Sequence, residues 1–438
     1  MRTKPHLPHN LATKEIAGMK KFEKGFMVGA ATAAHQVEGN NIHSDFWVLE
    51  NVPNSIFTEP SLDAVDHYHR YEEDIRLLAE AGLNAYRFSI EWARIEPEQG
   101  KFDEQEIEHY RKVLQCCHTH GVTPIVTMHH FSSPQWLIRE GGWESPAVVD
   151  HFKRYCVHVV EKLGDLMGYV CTINEANMGL QIAAIARDYM RQMGINLQVG
   201  MNFDTLKQKM GQVNETAQAF GKSDPRDIHT FLDMRTKEGD LLTILAHAAA
   251  RDGMKAACPH LQVGITLSLH DLQAQPGGEA LAESEWDDEF LHYLPFIKDD
   301  DFFGVQNYTR KLIDDKGAQP VPEGVERTQM GYEFYPQALA NVIRKVAKEL
   351  PIPIIVTENG IGTADDTRRV AFIEQATAGV MDCIAEGIPV KGYLHWTLLD
   401  NFEWHKGFSM TFGLIAVDRS SQTRMPKESL YYLGKMAQ

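Results

Sequence analysis

Short apolar or β-branched runs that stop abruptly at polar or aromatic residues recur along the chain, each followed by a stretch with helical periodicity. The runs are FMVGAATAAHQ (26–36), NAYRFSI (84–90), VTPIVTMHH (122–130), YVCTINEAN (169–177), LQVGITLSL (261–269), DFFGVQNY (301–308), IPIIVTENG (352–360) and VKGYLHWTLL (390–399). Between them, HRYEEDIRLLAEAG (69–82) and DEQEIEHYRKVLQCCHTHG (103–121) repeat apolar residues at helical spacing and close on glycine. Continuous apolar runs are those of parallel strands covered on both faces. Eight strand–helix units predict an α/β protein of the closed (β/α)8 TIM-barrel type.

The residues expected to end the strands, Gln36, Arg87, His130, Glu175, His270, Tyr308, Glu358 and Trp396, are spaced by 51, 43, 45, 95, 38, 50 and 38 positions. The doubled gap predicts a helical insertion after the fourth strand, about 176–240. With its Met-rich part, 193–212, the insertion admits three roles: a cap on the pocket, an oligomer contact, or simple packing. A doubly wound open sheet would want a phosphate-cradling GxGxxG or GxxxxGK[ST] after an early strand, and neither occurs. No linker or repeat divides the chain, so residues 21–438 are expected to form one barrel preceded by an extension, 1–20.

That extension is basic but lacks the apolar core of a secretory signal, and no run approaches 18 apolar residues. A cytoplasmic enzyme without membrane contact is expected. With 43 Lys and Arg against 60 Asp and Glu, the net charge of −17 repels phosphate backbones and makes nucleic acid an improbable partner. Cys116, Cys117, Cys156, Cys171, Cys258 and Cys383 lie in apolar or helical stretches without CxxC spacing and read as reduced core thiols. Cys171 has no evident adjacent base and reads as a strand-core thiol, not a nucleophile.

In a barrel of this kind, polar residues at the C-terminal strand ends form the active face. Glu175 in TINEAN and Glu358 in VTENG each close an apolar strand, a costly place for a carboxylate unless it is used or paired. Across a small pocket, two such groups are the apparatus for breaking a glycosidic bond; singly, each is as well explained by a structural ion pair. The same rim is expected to hold Gln36, Arg87, His130, Asn174, Tyr308, Trp396, Glu403 and Trp404. Sugars present hydroxyls and apolar C–H faces, so they want hydrogen-bonding groups and flat aromatic platforms together.

These residues lie in GAATAAHQVEG (29–39), YRFSIEWARIEP (86–97), HHF (129–131), TINEAN (172–177), NYTR (307–310), VTENG (356–360) and HWTLLDNFEW with GFSMTFGL (395–414). In this order, from Phe22 to the C-terminus, the chain resembles the β-glucosidase-type retaining glycosidases of glycoside hydrolase family 1. The resemblance implies a small β-glycoside as substrate and no cofactor, with Glu358 as nucleophile and Glu175 as acid/base. It implies that Arg87 and Tyr308 support Glu358, that Asn174 holds the sugar 2-hydroxyl, and that Gln36, His130, Trp396, Glu403 and Trp404 form the sugar pocket. Retention further implies that the two carboxyl groups lie roughly 5 to 5.5 Å apart.

Four positions depart from the pattern: Ala176 stands where proline is usual, Phe131 where tryptophan is, and Gln306 and Asn307 where asparagine and tyrosine are. The loop HKGFSMTF (405–412) differs too. Glu403 in place of a small residue, with no Lys-x-Tyr after it, implies an uncharged sugar. His67, His69, His129 and His130 are expected on different elements without carboxylate partners at ligand spacing, and no metal is expected. WDDEF (286–290) and Asp299–Asp301 read as solvated ends. Transfer to an acceptor other than water, and a non-catalytic sugar-binding protein, are the rival readings. The preferred sugar, the aglycone and the oligomeric state are open.

Overall fold

The computed structural model describes residues 20–53, 55–192 and 213–437; the expected extension, apart from Lys20, and the Met-rich part of the insertion lie outside them. The apolar runs form eight parallel strands, β1 Met27–Ala31, β2 Ala85–Ser89, β3 Thr123–His129, β4 Tyr169–Ile173, β5 in two pieces at Gln262–Gly264 and Thr266–Ser268, β6 Phe303–Gln306, β7 Ile354–Asn359 and β8 Val390–Trp396. β8 pairs with β1, and β5 closes the ring, its first piece on β4 and its second on β6. The break falls at Ile265, whose N–H goes to the Asp300 carboxylate at 3.0 Å. Asp301 accepts from the N–H of Val263 at 2.9 Å. Buried Asp300 also meets His247 and Arg251.

The expectation that the acidic runs are solvated holds for exposed Asp287 and Asp299 but fails at Asp300 and Glu289. Asp300 is a buried clasp on β5, and Glu289 is buried between His270 and Lys311. A carboxylate out of water must be paired, and the partners come from elements remote in sequence.

Inside the barrel, Met27, Ala85, Ile125, Cys171, Phe302, Ile355 and Leu394 form a closed apolar plug. Outside it, the helices pack on a second core, where Trp92 stacks on Tyr155 at 5.0 Å. The two helices read from periodicity span His67–Glu80 and Glu104–Thr119. Each ends before a glycine with positive φ, Gly82 at 102° and Gly121 at 69°, the conformation that stops a helix most readily. Asp103 caps the second, accepting from the N–H of Gln105 at 2.8 Å. Phe22 is buried and its N–H donates to Met436, fastening the start of the described chain to its end.

Between β4 and β5 lie the helices Met178–Gln192, Val213–Ala219 and Lys237–Ala257. The last packs along the barrel helix Val148–Leu163 and is itself a barrel helix, so the insertion ends near 236. The strands Asp271–Ala274, Arg310–Asp314 and Gly317–Ala318 make a small accessory sheet. All six cysteines are unpaired, with Cys116 and Cys258 only half-buried.

Candidate active site

Glu358 lies within β7. A register shift between Val356 and Glu358 in the pairing with β6 breaks the strand's alternation and re-aims the carboxylate. Arg87 Nη1 donates to one of its oxygens at 2.6 Å and the Tyr308 hydroxyl to the other at 2.6 Å. Arg87 is in the middle of β2, not at its end, and is wholly buried. Its second arm donates to Asn174 Oδ1 at 2.5 Å. Burial holds the Glu358 pKa above the usual carboxylate range, and Arg87 and Tyr308 offset part of that rise.

Glu175 stands two residues past β4 with a left-handed backbone, φ 43°, a conformation a non-glycine residue adopts only when its neighbours hold it. Its N–H donates to Thr266 Oγ1 at 3.2 Å, and its carbonyl accepts from the N–H of Met178 at 2.9 Å. The carboxyl group is buried and meets the hydroxyl of Ser268 in place of a cation. Burial and then the charge of Glu358 push its pKa up to about 8. Glu175 therefore keeps its proton at neutral pH, while Arg87 and Tyr308 favour the charged form of Glu358, a difference of the kind that lets one carboxyl group act as acid and another as base.

Asn174 is clamped between the two. Its oxygen accepts from Arg87 and from Gln306 at 2.7 Å, so its amide nitrogen faces His130 Nε2 at 3.1 Å. His130 must accept there, which assigns its hydrogen to Nδ1; that nitrogen is buried without a protein partner. Burial and then Arg87 keep the ring neutral.

The remaining pocket residues gather around Glu403. Gln36, on the short helix Ala34–Val37 after β1, donates to Phe402 O at 2.8 Å and to Glu403 at 3.3 Å; Trp396 donates to Glu403 as well. Trp404 lies parallel to His35 at 5.9 Å and nearly so to His130 at 6.1 Å, and His130 stacks on Trp396 at 5.5 Å. Phe131, φ 70°, tilts against Trp404 at 5.2 Å. The result is one largely buried cluster in which three carboxyl groups, Glu175, Glu358 and Glu403, lie within reach of one another's charges among flat aromatic rings and hydrogen-bonding groups of both senses.

The family model for glycosyl hydrolase family 1 matches residues 18–202 and 290–438. The chain belongs to glycosyl hydrolase family 1. The chain is thus a glycoside hydrolase, and its similarity to known members runs over nearly its whole length. It is 47% identical to the beta-glycosidase BGL167, of known structure, covering 94% of this chain and 96% of that one with a TM-score of 0.88. It is 29% identical to Beta-glucosidase A of Thermotoga maritima over 95% of this chain and 98% of that one. It is 26% identical to a 6-phospho-beta-galactosidase of Lacticaseibacillus casei over 96% and 98%. The family model breaks off over 203–289, which includes much of the insertion.

The departures from the family pattern have structural occupations here. Gln306 holds Asn174, and Asn307 ties β6 to β5 through Leu269 O at 2.8 Å. Ala176 donates its N–H to Thr266 O at 3.1 Å, a bond that proline cannot make. In the 405–412 loop, Thr411 bonds Gln329, and Met410 joins Met330 and Tyr308 beside Trp396 and Phe412. Tyr332 stands near enough for the charges of Glu175 and Glu403 to act on its phenol.

His270 does not join the cavity residues named above; it turns to Glu289 at 2.8 Å. His67 and His69 share one helix and do meet carboxylates, Asp74 at 2.8 Å and Asp66 at 2.6 Å, contrary to the sequence reading. Asp74 is also held by Arg424 and Asp66 by Arg70, and among the described residues no group of three metal-ligating side chains converges. Sequence reasoning missed Thr266 and Ser268, although their spacing of two within an apolar strand was a signal for one polar inner face. Among the described residues no helix is long and apolar enough to cross a membrane.

Proposed function

We propose that the protein hydrolyses the terminal β-linked sugar of small neutral glycosides with retention at the anomeric carbon. One observation carries this: two buried carboxyl groups lie within reach of each other's charge, one fixed by a guanidinium and a phenol, the other facing a hydroxyl and keeping its proton up to about pH 8. Glu358 is the nucleophile and Glu175 the acid/base. A Glu358 oxygen bonds to the anomeric carbon as the bond to the leaving oxygen breaks, and that oxygen takes the Glu175 proton. In the second step Glu175 removes a proton from water, whose oxygen displaces Glu358 and restores the β configuration.

Asn174 offers its free amide hydrogen to the sugar 2-hydroxyl, a contact that strengthens as the ring flattens. His130 Nδ1 and Gln36 Oε1, both without a protein partner, suit neighbouring hydroxyls. Glu403 suits the 4- and 6-hydroxyls, and Trp396 and Trp404 provide the apolar walls. A sugar phosphate is disfavoured because Arg87, the cation of the cavity, is already engaged by Glu358 and Asn174.

A panel of nitrophenyl glycosides tests the reading. Turnover is expected on a neutral β-glycoside, with its 6-phosphate a poor substrate. A 2-deoxy-2-fluoro β-glycoside is expected to inactivate the enzyme by labelling the peptide that contains Glu358, read by mass spectrometry. Label on another carboxylate, or an α-configured first product by NMR, would refute the assignment.

A further inference from the structure

The peptide segment that carries Glu175 is fastened on both sides by residues remote in sequence. The N–H of buried Ala176 donates to Thr266 O in β5 at 3.1 Å, and its carbonyl accepts from Arg235 Nη1 at 3.1 Å. Arg235 belongs to the insertion. It also grips the next turn, donating its backbone N–H to Gly179 O at 3.1 Å. Its side chain lies on Gly179, where an added Cβ would come within 2.7 Å of Arg235 Cβ and 2.9 Å of its Cζ. The guanidinium is 2% exposed. It donates to Phe231 O at 2.7 Å, Thr243 Oγ1 at 2.9 Å and Asp240 Oδ1 at 3.5 Å, and lies over the Phe231 ring at 4.7 Å. Asp240 is fixed in turn by Tyr293 at 2.9 Å and His292 at 3.0 Å.

We propose that Arg235 is a positioning residue for the general acid, so that the insertion helps to aim Glu175 at the leaving oxygen; this rests on the assignment of Glu175 as acid/base. The left-handed backbone at Glu175 is held from behind by the hydrogen bonds of the following residue. The Ala176 N–H fixes the 175–176 peptide to β5, and Arg235 fixes the Ala176 carbonyl, in the next peptide, to the outer layer. An acid displaced by a fraction of an ångström still holds its proton but delivers it poorly. Loss of the Arg235 contact should therefore affect substrates in proportion to their need for a proton.

The test compares kcat/KM for a 2,4-dinitrophenyl β-glycoside, whose leaving group departs unprotonated, with that for a phenyl β-glycoside, whose leaving group needs the proton. Glu175→Ala is the reference. Arg235→Met is expected to lower the phenyl value about 10- to 100-fold and the dinitrophenyl value by less than about threefold. Arg235→Lys, which retains donors, should fall between Arg235→Met and wild type. Gly179→Ala displaces the Arg235 stem without removing any donor, and should bias the two substrates the same way by a smaller factor. If Arg235→Met does not fold, Arg235→Lys and Gly179→Ala decide the matter. An equal fall on both substrates, or none on either, in the folded variants overturns the inference. If Glu175→Ala itself fails to separate the substrates, the acid/base assignment falls instead.

Discussion

Glu358 and Glu175 lie within reach of each other's charge but are held in opposite ways. Glu358 is part of β7, fixed by a buried cation and a phenol that each reach a different oxygen of its carboxylate. Glu175 stands beyond β4 on a left-handed backbone, with hydroxyl groups from β5 as its near partners. The first arrangement fixes a charge and the second fixes a direction. A nucleophile needs the charge, since it must be ionised inside a dry site. An acid that later serves as base needs a proton held loosely and aimed well, which rigid backbone bonds supply better than a cation. On the roles proposed for the two residues, charged partners mark the nucleophile and backbone fastenings mark the acid/base.

The largest expected break in that contrast is Glu358→Ala. Turnover of an aryl β-glucoside should fall by more than about 10⁴-fold, as when a residue acting as part of a unit is removed, and added azide should restore turnover with the α-glycosyl azide as product. Wild-type turnover would take Glu358 out of the reaction altogether, and a β-azide by NMR would show that the two roles are reversed.

Arg87→Met tests the cation itself. Losing a preorganised charged donor should lower kcat/KM by about 100-fold. The pH profile should move as well. Activity requires Glu358 ionised and Glu175 protonated, so kcat/KM falls below the first pKa and above the second. Arg87 lowers both, so its removal should carry both limbs of the bell to higher pH, by about one unit or more. An unmoved acidic limb would mean that the guanidinium does not govern the ionisation of Glu358.

A smaller effect sharpens the assignment of the alkaline limb. Glu175 and Glu403 are both raised to about 8, Glu175 by burial and Glu358's charge and Glu403 by the same two causes in the same order. Their titrations belong to a coupled set. Glu403→Gln removes a negative neighbour that helps to raise Glu175, so the alkaline limb of kcat/KM should survive and move slightly to lower pH, with KM increased. Loss of the limb would assign it to Glu403.

The two carboxylates also differ in how far sequence reveals them. The strand-ending glutamates stand out because apolar runs seldom close on a charge, and eight such runs are enough to specify a barrel. Arg87 was legible as a partner but not as a mid-strand one, since a buried cation inside a strand makes sense only once Glu358 and Asn174 face it. Asp300 and Glu289 read as solvated because their partners, His247, Arg251, His270 and Lys311, come from other elements. The break of β5 at Ile265 was illegible for the same reason: its cause is a carboxylate 35 residues away. Local patterning predicts what a residue does to its own element, whereas the fastening of Glu175 is made almost wholly by elements remote from it.

Thr266→Val should produce the smallest effect, and it addresses that fastening directly. The Thr266 hydroxyl accepts the Glu175 N–H at 3.2 Å and lies 3.5 Å from Asn174 Oδ1. Valine keeps the shape of the side chain but leaves the N–H of Glu175 buried without its acceptor, a loss of about 1 to 2 kcal/mol in unfolding free energy by denaturant titration. The Thr266 carbonyl remains to hold Ala176, so the segment should loosen without releasing. Turnover should fall only a few-fold, more on a phenyl than on a dinitrophenyl glycoside, while the acidic limb set by Glu358 stays in place. If that limb moves as much as it does in Arg87→Met, the two carboxylates are held by one connected network, and the division between a fixed charge and a fixed direction does not hold.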